Sequence, residues 1–528
     1  MLMLCLDSSR AFAAGCLGLL IILLCACQRD AQQNRPALTT PTTTPGSANL
    51  QVSAALASHI PGAHSMPRAR NVILFIGDGM GISTVTAARI YAGQQLGLAG
   101  EEHRLSFEHF PQVALVKTYN TNQQVPDSAG TSTALHSGVK TRAGLIGLGP
   151  SARRGKCRSA NGAELDSLLD LAEDRGYLTG LVTNTRITHA TLATLYAHAA
   201  DRDWESDAKL STLAKLAGCK DIARQLVEYN RGDGIDVILG GGRQAFISRD
   251  LGGERDGRGV NLLKAWQSGK QRVLLDNAKQ LARLETAAVN EQQVLGLFSA
   301  SHMEYVARRR SSNSSEPDLP SMASKALALL QGREPGYLLV VEGGRIDHGH
   351  HQGKAGYALA QTVEFAEAVG RVLKQADLSE TLIIVTADHS HTLTIGGYPT
   401  RGNPILGVVI ENDRDGNPKQ HAAVAADGKP YTTLAYQNGP GATQRPRDAP
   451  QTGIEAVQQA LIPTAHGSRG RSFGTHSGED VALYAIGAGA GHFGGVLEQE
   501  QVFHRIVQAL GWAPQLLATP TTAGNKAK

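Results

Sequence analysis

Several stretches of the chain share one plan: a short apolar run that ends abruptly in polar residues. They read NVILFIGDGMG, LTGLVTNTRITHA, YLLVVEGGRIDHGHH and TLIIVTADHSHT, with a further run in DVALYAIG. Continuous β-branched runs without polar alternation are strands buried on both faces. Strands are therefore expected near Val72–Ile76, Thr179–Thr183, Leu338–Val341 and Leu382–Val385. Helical patterns such as ELDSLLDLAEDRGY and PSMASKALALLQG lie between them. The alternation implies an α/β fold, three layers αβα around a mostly parallel central sheet. In such sheets ligands bind beyond the carboxyl ends of the strands. Three of these strands end in an acid there: Asp78, Glu342 and Asp388.

A chain of 528 residues can bury a large core. Its formal charge of +4 is too small to argue for nucleic acid as a partner. Residues 1–26 read as a signal peptide, with the apolar run AFAAGCLGLLIILL too short to span a bilayer comfortably. It closes in LCAC, similar to a bacterial lipoprotein cleavage box, which makes Cys27 the acylated residue. An ordinary secretory signal or a tilted anchor are the alternatives. Residues 27–66, rich in Thr, Pro, Gln and Ala, read as a flexible tether, and 516–528 as a loose tail. The expected destination is the periplasm or the cell surface, anchored to the outer or cell membrane through lipid. Export leaves Cys157 and Cys219 as an even pair in an oxidising compartment, so a disulfide is the default and two buried thiols the alternative. Between residues 67 and 515 the main folded domain is expected, with a Gly- and Pro-rich surface insertion at 396–471.

The polar groups after the strands look like metal ligands. Asp347 and His351 stand one helical turn apart, Asp388 and His389 adjoin, and His476 sits in GTHSGED. Mixed carboxylate and imidazole sets suit zinc, and carboxylates with a hydroxyl suit magnesium. A lone Asp-His pair is ordinary turn chemistry; it is the recurrence that carries weight. Ser128, in VPDSAGTSTA, opens a run of small residues at an expected helix start, with no evident hydroxyl base beside it.

IGDGMG, VPDSAGTSTA, TNTRITHAT, YAHAADRDW, VEGGRIDHGHH, TADHSH and THSGED occur in the order and at the spacings of the alkaline phosphatases. The resemblance runs from about Arg70 to Trp512 and is nearer the animal-type enzymes than the enterobacterial one, through His189, His348 and the spacing of Cys157 and Cys219. It implies two zinc ions, one held by Asp347, His351 and His476, the other by Asp78, Asp388 and His389. It implies a magnesium ion held by Asp78, Thr191 and Glu342, with His189 and His348 behind it. Ser128 matches the nucleophile, Arg202 the arginine that grips phosphate, and Asp127 the group that orients Arg202. The implied reaction is hydrolysis of small phosphate monoesters through a phosphoserine, in a homodimer. His350 and His391 are expected to be structural or outer to the ligands. The animal-type calcium site is not expected, because Ser299, between Phe298 and Glu316, stands where an acid is needed.

Sulfatases of the same superfamily carry Cys or Ser followed by xPxR, which DSAGT does not match. Diesterases of this fold commonly use Thr and lack the phosphate-gripping arginine. A non-catalytic metal- or phosphate-binding lipoprotein is the remaining alternative; it would be expected to lack Ser128 or a metal ligand.

Overall fold

The computed structural model describes residues 67–512 apart from 270, 286–291, 443–446 and 465–472. The signal segment, Cys27, the tether and the 516–528 tail lie outside the described residues. Ten strands form the central sheet: β1 (Asn71–Gly77), β2 (Gln112–Lys117), β3 (Leu178–Arg186), β4 (Val237–Gly241), β5 (Arg272–Leu275), β6 (Gln293–Leu297), β7 (Tyr337–Glu342), β8 (Thr381–Ala387), β14 (Val481–Gly487) and β15 (Gly495–Glu498). Their order is β15-β2-β14-β8-β1-β7-β3-β4-β6-β5. The short strands β9 (Ser390–His391) and β13 (His476–Ser477) pair with each other, and β10 (Leu393–Ile395), β11 (Leu434–Asn438) and β12 (Ala460–Ile462) form a third sheet.

The apolar runs are central because they have no polar face to show water. Every residue of β1, β7 and β8 is buried. These strands pair in parallel, with β3 parallel on the far side of β7. DVALYAIG departs from the expectation for such runs. As β14 it lies antiparallel to β8 and β2 and alternates in burial, with Val481, Leu483 and Ala485 on the buried face and Ala482, Tyr484 and Ile486 on the half-exposed one.

Helices α1 (Ile82–Gln95), α4 (Leu319–Leu330), α5 (Arg345–His351) and α6 (Ala355–Leu373) pack together; α2 (Ser128–Ser137), α3 (Ala190–Tyr196) and α7 (Gln499–Ala509) form a second group. Two helix layers thus sandwich the sheet, as expected of a three-layer αβα fold. Within residues 396–471 the described residues hold no helix; β11 and β12 lie there and form a three-stranded sheet with β10. Cys157 and Cys219 are joined as a disulfide with Cα atoms 5.9 Å apart. They flank a small satellite core built from Leu145, Leu148, Ala152, Trp204 and Leu210.

Candidate metal and phosphate site

Register assembles the site. Ile76 of β1 pairs with Glu342 of β7, and Gly77 with Ala387 of β8. The residues that end or follow these three adjacent strands, Asp78, Glu342 and Asp388, are therefore neighbours at one edge. All three are fully buried. Asp388 Oδ1 accepts the backbone N–H groups of Gly79 and His389 at 3.1 and 2.8 Å.

Three sets of donor atoms converge, each set within 4.8 Å: Asp347, His351, His391 and His476; Asp78, Asp388 and His389; and Asp78, His189 and Glu342. The sets contain every acidic and histidine ligand expected from sequence, with His391 added and His189 drawn to the third. In detail, His389 Nε2 is 3.4 Å from both Asp78 Oδ1 and Asp388 Oδ2. Nε2 of His351 and of His476 lie 3.3 and 3.5 Å from the Asp347 oxygens, and 3.1 Å from each other.

The histidines sort by what their other nitrogen touches. Nδ1 of His351, His476 and His389 meets the backbone carbonyls of Gly474, Pro126 and Ser390 at 2.6, 2.8 and 3.2 Å. That partner holds the proton on Nδ1 and leaves the Nε2 lone pair facing the carboxylates. His391 differs, with Nε2 2.5 Å from Asp347 Oδ1, so it buttresses that carboxylate from the side. His350 bonds through both nitrogens, to Thr84 Oγ1 and the Tyr436 hydroxyl, and has none left for a metal.

A cation fits this donor set. Both Asp78 oxygens, Asp388 Oδ2, Glu342 Oε1 and Thr191 Oγ1 are buried without a hydrogen-bond partner. Burial, reinforced by neighbouring carboxylates, pushes Asp78 well above the ordinary range and Asp388 up to about 7. Burial drives His389 down to about 3, keeping its ring neutral. Neutral imidazoles and repelling carboxylates around orphaned oxygens call for divalent counter-charge. Thr191 sits on α3, which begins just after His189.

Ser128 is the first residue of α2, buried, with Oγ 3.2 Å from His389 Nε2. His136, the nearest histidine in sequence, turns away to Thr194 Oγ1. Asp127 caps the helix by accepting the Gly130 N–H at 3.1 Å. It also accepts from Gly144 N–H, Asn120 Nδ2 and Arg202 Nη1, the last at 3.1 Å. Burial raises the Asp127 pKa, but Arg202 and the backbone donors outweigh it and hold the carboxyl low. Arg202 Nη2 also lies 3.3 Å from His189 Nε2. A Cβ at Gly130 would sit 2.5 Å from Asn120 Oδ1, so a side chain there would displace the Asn120 carboxamide. Asn120 carries no motif, and nothing in the sequence marks it.

The family model for alkaline phosphatase matches residues 69–512, nearly the whole described chain. The chain belongs to the alkaline phosphatase family. Its members are metal-dependent phosphate monoester hydrolases, and the chain is one of these enzymes. It is similar to the tissue-nonspecific isozyme of alkaline phosphatase from Gallus gallus, 43% identical over 466 residues, with 84% of each chain covered. To the Homo sapiens tissue-nonspecific isozyme it is 42% identical over 462 residues, covering 84% of this chain and 83% of that one. Among solved structures, Thermus thermophilus alkaline phosphatase superposes with a TM-score of 0.60 at 24% identity, covering 85% and 94% of the two chains. The enzyme from the Antarctic bacterium TAB5 gives 0.57 at 21% identity, covering 85% and 99%. These two carry the family fold.

His189, His302 and His348 form a further ring cluster beside the third donor set. Ring centroids of His302 and His348 are 4.2 Å apart, and His189 lies 5.5 Å from each. Arg345 Nη1 meets His348 Nδ1 at 3.0 Å. His302 is absent from the sequence expectations because SASHMEY resembles no ligand motif. Glu316 accepts the Glu304 N–H at 2.8 Å, and Ser299 Oγ donates to the Ser301 carbonyl.

Among the described residues no helix is long and apolar enough to cross a membrane.

Proposed function

We propose that the enzyme hydrolyses phosphate monoesters through a phosphoserine at Ser128, with two zinc ions and one magnesium ion. The observation that carries this reading is the buried Ser128 hydroxyl, 3.2 Å from His389 Nε2, the nitrogen that also lies 3.4 Å from orphaned carboxylate oxygens of Asp78 and Asp388. One zinc belongs with Asp347, His351 and His476, the other with Asp78, Asp388 and His389. Magnesium belongs with Asp78, Thr191 and Glu342. When bound, such ions supply Lewis acidity that lets a hydroxyl ionise without a protein base and that steadies the leaving oxygen.

The chain's own residues do the rest. Arg202 directs its guanidinium, oriented by Asp127, at two phosphate oxygens. The α2 N-terminus adds positive dipole where the serine oxygen and the phosphate come together. Ser128 Oγ attacks phosphorus in line, the P–O bond to the alcohol breaks, and water later splits the phosphoserine to free inorganic phosphate. His189, whose ring nitrogen joins Asp78 and Glu342 in the third donor set, and His348 beside it would surround a magnesium ion bound there.

Residues 67–515 form the catalytic domain with 396–471 as its surface insertion; the enzyme is exported, anchored through Cys27 and dimeric.

The test is hydrolysis of p-nitrophenyl phosphate and bis-p-nitrophenyl phosphate as purified, after chelation, and after zinc and magnesium are restored. Monoester turnover that disappears and returns with the metals supports the proposal. Preference for the diester moves the assignment to a phosphodiesterase, and no turnover in the fully metallated protein makes it a binding protein.

A further inference from the structure

The segment SARRGKCRSA, residues 151–160, has no part in the chemistry above. Its Arg154 reaches across to the turn that carries Arg202. Nε and Nη2 donate to Asp201 Oδ1 at 3.1 and 3.0 Å, and Nη2 donates to Asp203 Oδ2 at 2.9 Å. Asp201 and Asp203 are the two chain neighbours of Arg202. One arginine thus occupies both acids that flank another.

The contact belongs to a closed ring. The Arg202 N–H donates to the Gly144 carbonyl at 2.9 Å, and the Gly144 N–H donates to both Asp127 oxygens at 3.1 and 3.0 Å. Arg154 lies across Gly144, where a Cβ would come within 2.4 Å of its Cδ and where φ is +79°. The positive φ favours glycine there, and a side chain would push the Arg154 stem aside. The loop bearing Arg154 is held from behind by the Gly155 N–H on the Ala200 carbonyl at 2.8 Å, by Ala152 in the satellite core and by the Cys157–Cys219 disulfide.

We propose that Arg154 is a positioning residue for phosphate binding: it neutralises Asp201 and Asp203 and so keeps the Arg202 guanidinium directed at the phosphate. The inference rests on Arg202 being the phosphate-binding arginine. An arginine placed between two aspartates has both as competing partners. With Arg154 on those carboxylates, Arg202 is left to Asp127 and the site. Loss of Arg154 leaves two uncompensated negative charges beside an incoming dianion. The side chains of Asp201 and Asp203 are 19% and 73% exposed, so solvent screens part of that repulsion.

The experiment is calorimetric titration of inorganic phosphate into the metal-loaded enzyme, with steady-state kinetics on p-nitrophenyl phosphate. Wild type is compared with Arg154→Ala, Arg154→Lys and Arg154→Ala combined with Asp201→Asn and Asp203→Asn, all verified as folded by circular dichroism. In Arg154→Ala the phosphate Kd and the KM rise together by about fivefold while kcat stays within about twofold. The lysine variant recovers part of the loss, and the triple variant recovers most of it because the repelling charges are gone. A folded Arg154→Ala enzyme with unchanged Kd and KM overturns the proposal. So does a triple variant as weak as Arg154→Ala, which would reduce Arg154 to loop packing. Wild type that binds no phosphate defeats the reading of Arg202 itself, a different result from either.

Discussion

The hydroxyl oxygen of Ser128 lies 3.2 Å from Nε2 of His389, across 261 residues of chain. The contact looks like a serine–histidine pair, yet the ring is badly placed to be a base. Burial drives its pKa down to about 3, and Asp78 and Asp388 oxygens stand 3.4 Å from the same nitrogen. The arrangement instead places the serine oxygen beside a set of ligand atoms. Ser128→Ala is expected to lower kcat by roughly 10⁴-fold or more, as removal of a nucleophile does elsewhere. Zinc and magnesium content, measured by mass spectrometry on the same preparation, should stay at the wild-type level.

Asp78 is the acid common to two of the three donor sets. Asp78→Asn should therefore deplete metal from both sets, whereas His476→Ala should deplete one. Metal analysis after dialysis against a weak chelator checks this. Equal, single-ion losses in both variants would contradict a shared ligand.

At the amino-terminal end of β3, far along the strand from Thr183 and the site, Glu173 accepts from Thr179 Oγ1 and Asp236 from the Thr179 N–H. Burial, reinforced by Asp236 and Asp233 at Glu173 and by Asp233 at Asp236, pushes Glu173 up to about 8 and Asp236 up to about 7. Folded Glu173 thus keeps its proton over a range where the unfolded chain, with a pKa of about 4.3, has lost it. The native state binds the extra proton, so its stabilising effect is full below about pH 4 and is lost as pH rises through 8. Glu173→Gln should match wild type near pH 4 and gain on the order of 5 kcal/mol over it by pH 9. Urea unfolding at a series of pH values reads the difference.

The Cys157–Cys219 bond closes a loop with a sequence separation of 62. Chain entropy assigns such a closure about 4 kcal/mol. Cys157→Ser with Cys219→Ser should lower the unfolding midpoint by a matching amount, and reductant should lower it in wild type but not in the double variant. Thermal unfolding with and without reductant settles the comparison.

What the sequence shows best is whatever is local. A buried parallel strand must be apolar throughout, and the acid at its end must face the crevice, so Asp78, Glu342 and Asp388 stand out without any contact information. His391 does not. It lies two residues from His389 in ADHSH, and only its bond to Asp347, 44 residues away, separates a buttress from a ligand. Asn120 and Arg154 are hidden for the same reason, since their roles depend on partners brought together by folding. The 19-residue helix α6 begins without a side-chain cap, at Lys354, so its start carries no signal. β14 misleads because period-two burial among Ala, Leu, Tyr and Ile looks uniformly apolar on paper.

β8, β1 and β7 are adjacent strands of one sheet. Neighbouring strands sit about 4.8 Å apart, whatever side chains they carry. Acids hung at the ends of three adjacent strands inherit that interval as a built-in ruler. Segments remote from those strand ends can be lengthened, shortened or rewritten over generations without moving the graduations. In a scaffold of this kind, substrate preference can drift at the rim while the spacing of the inorganic centre stays fixed by backbone geometry alone.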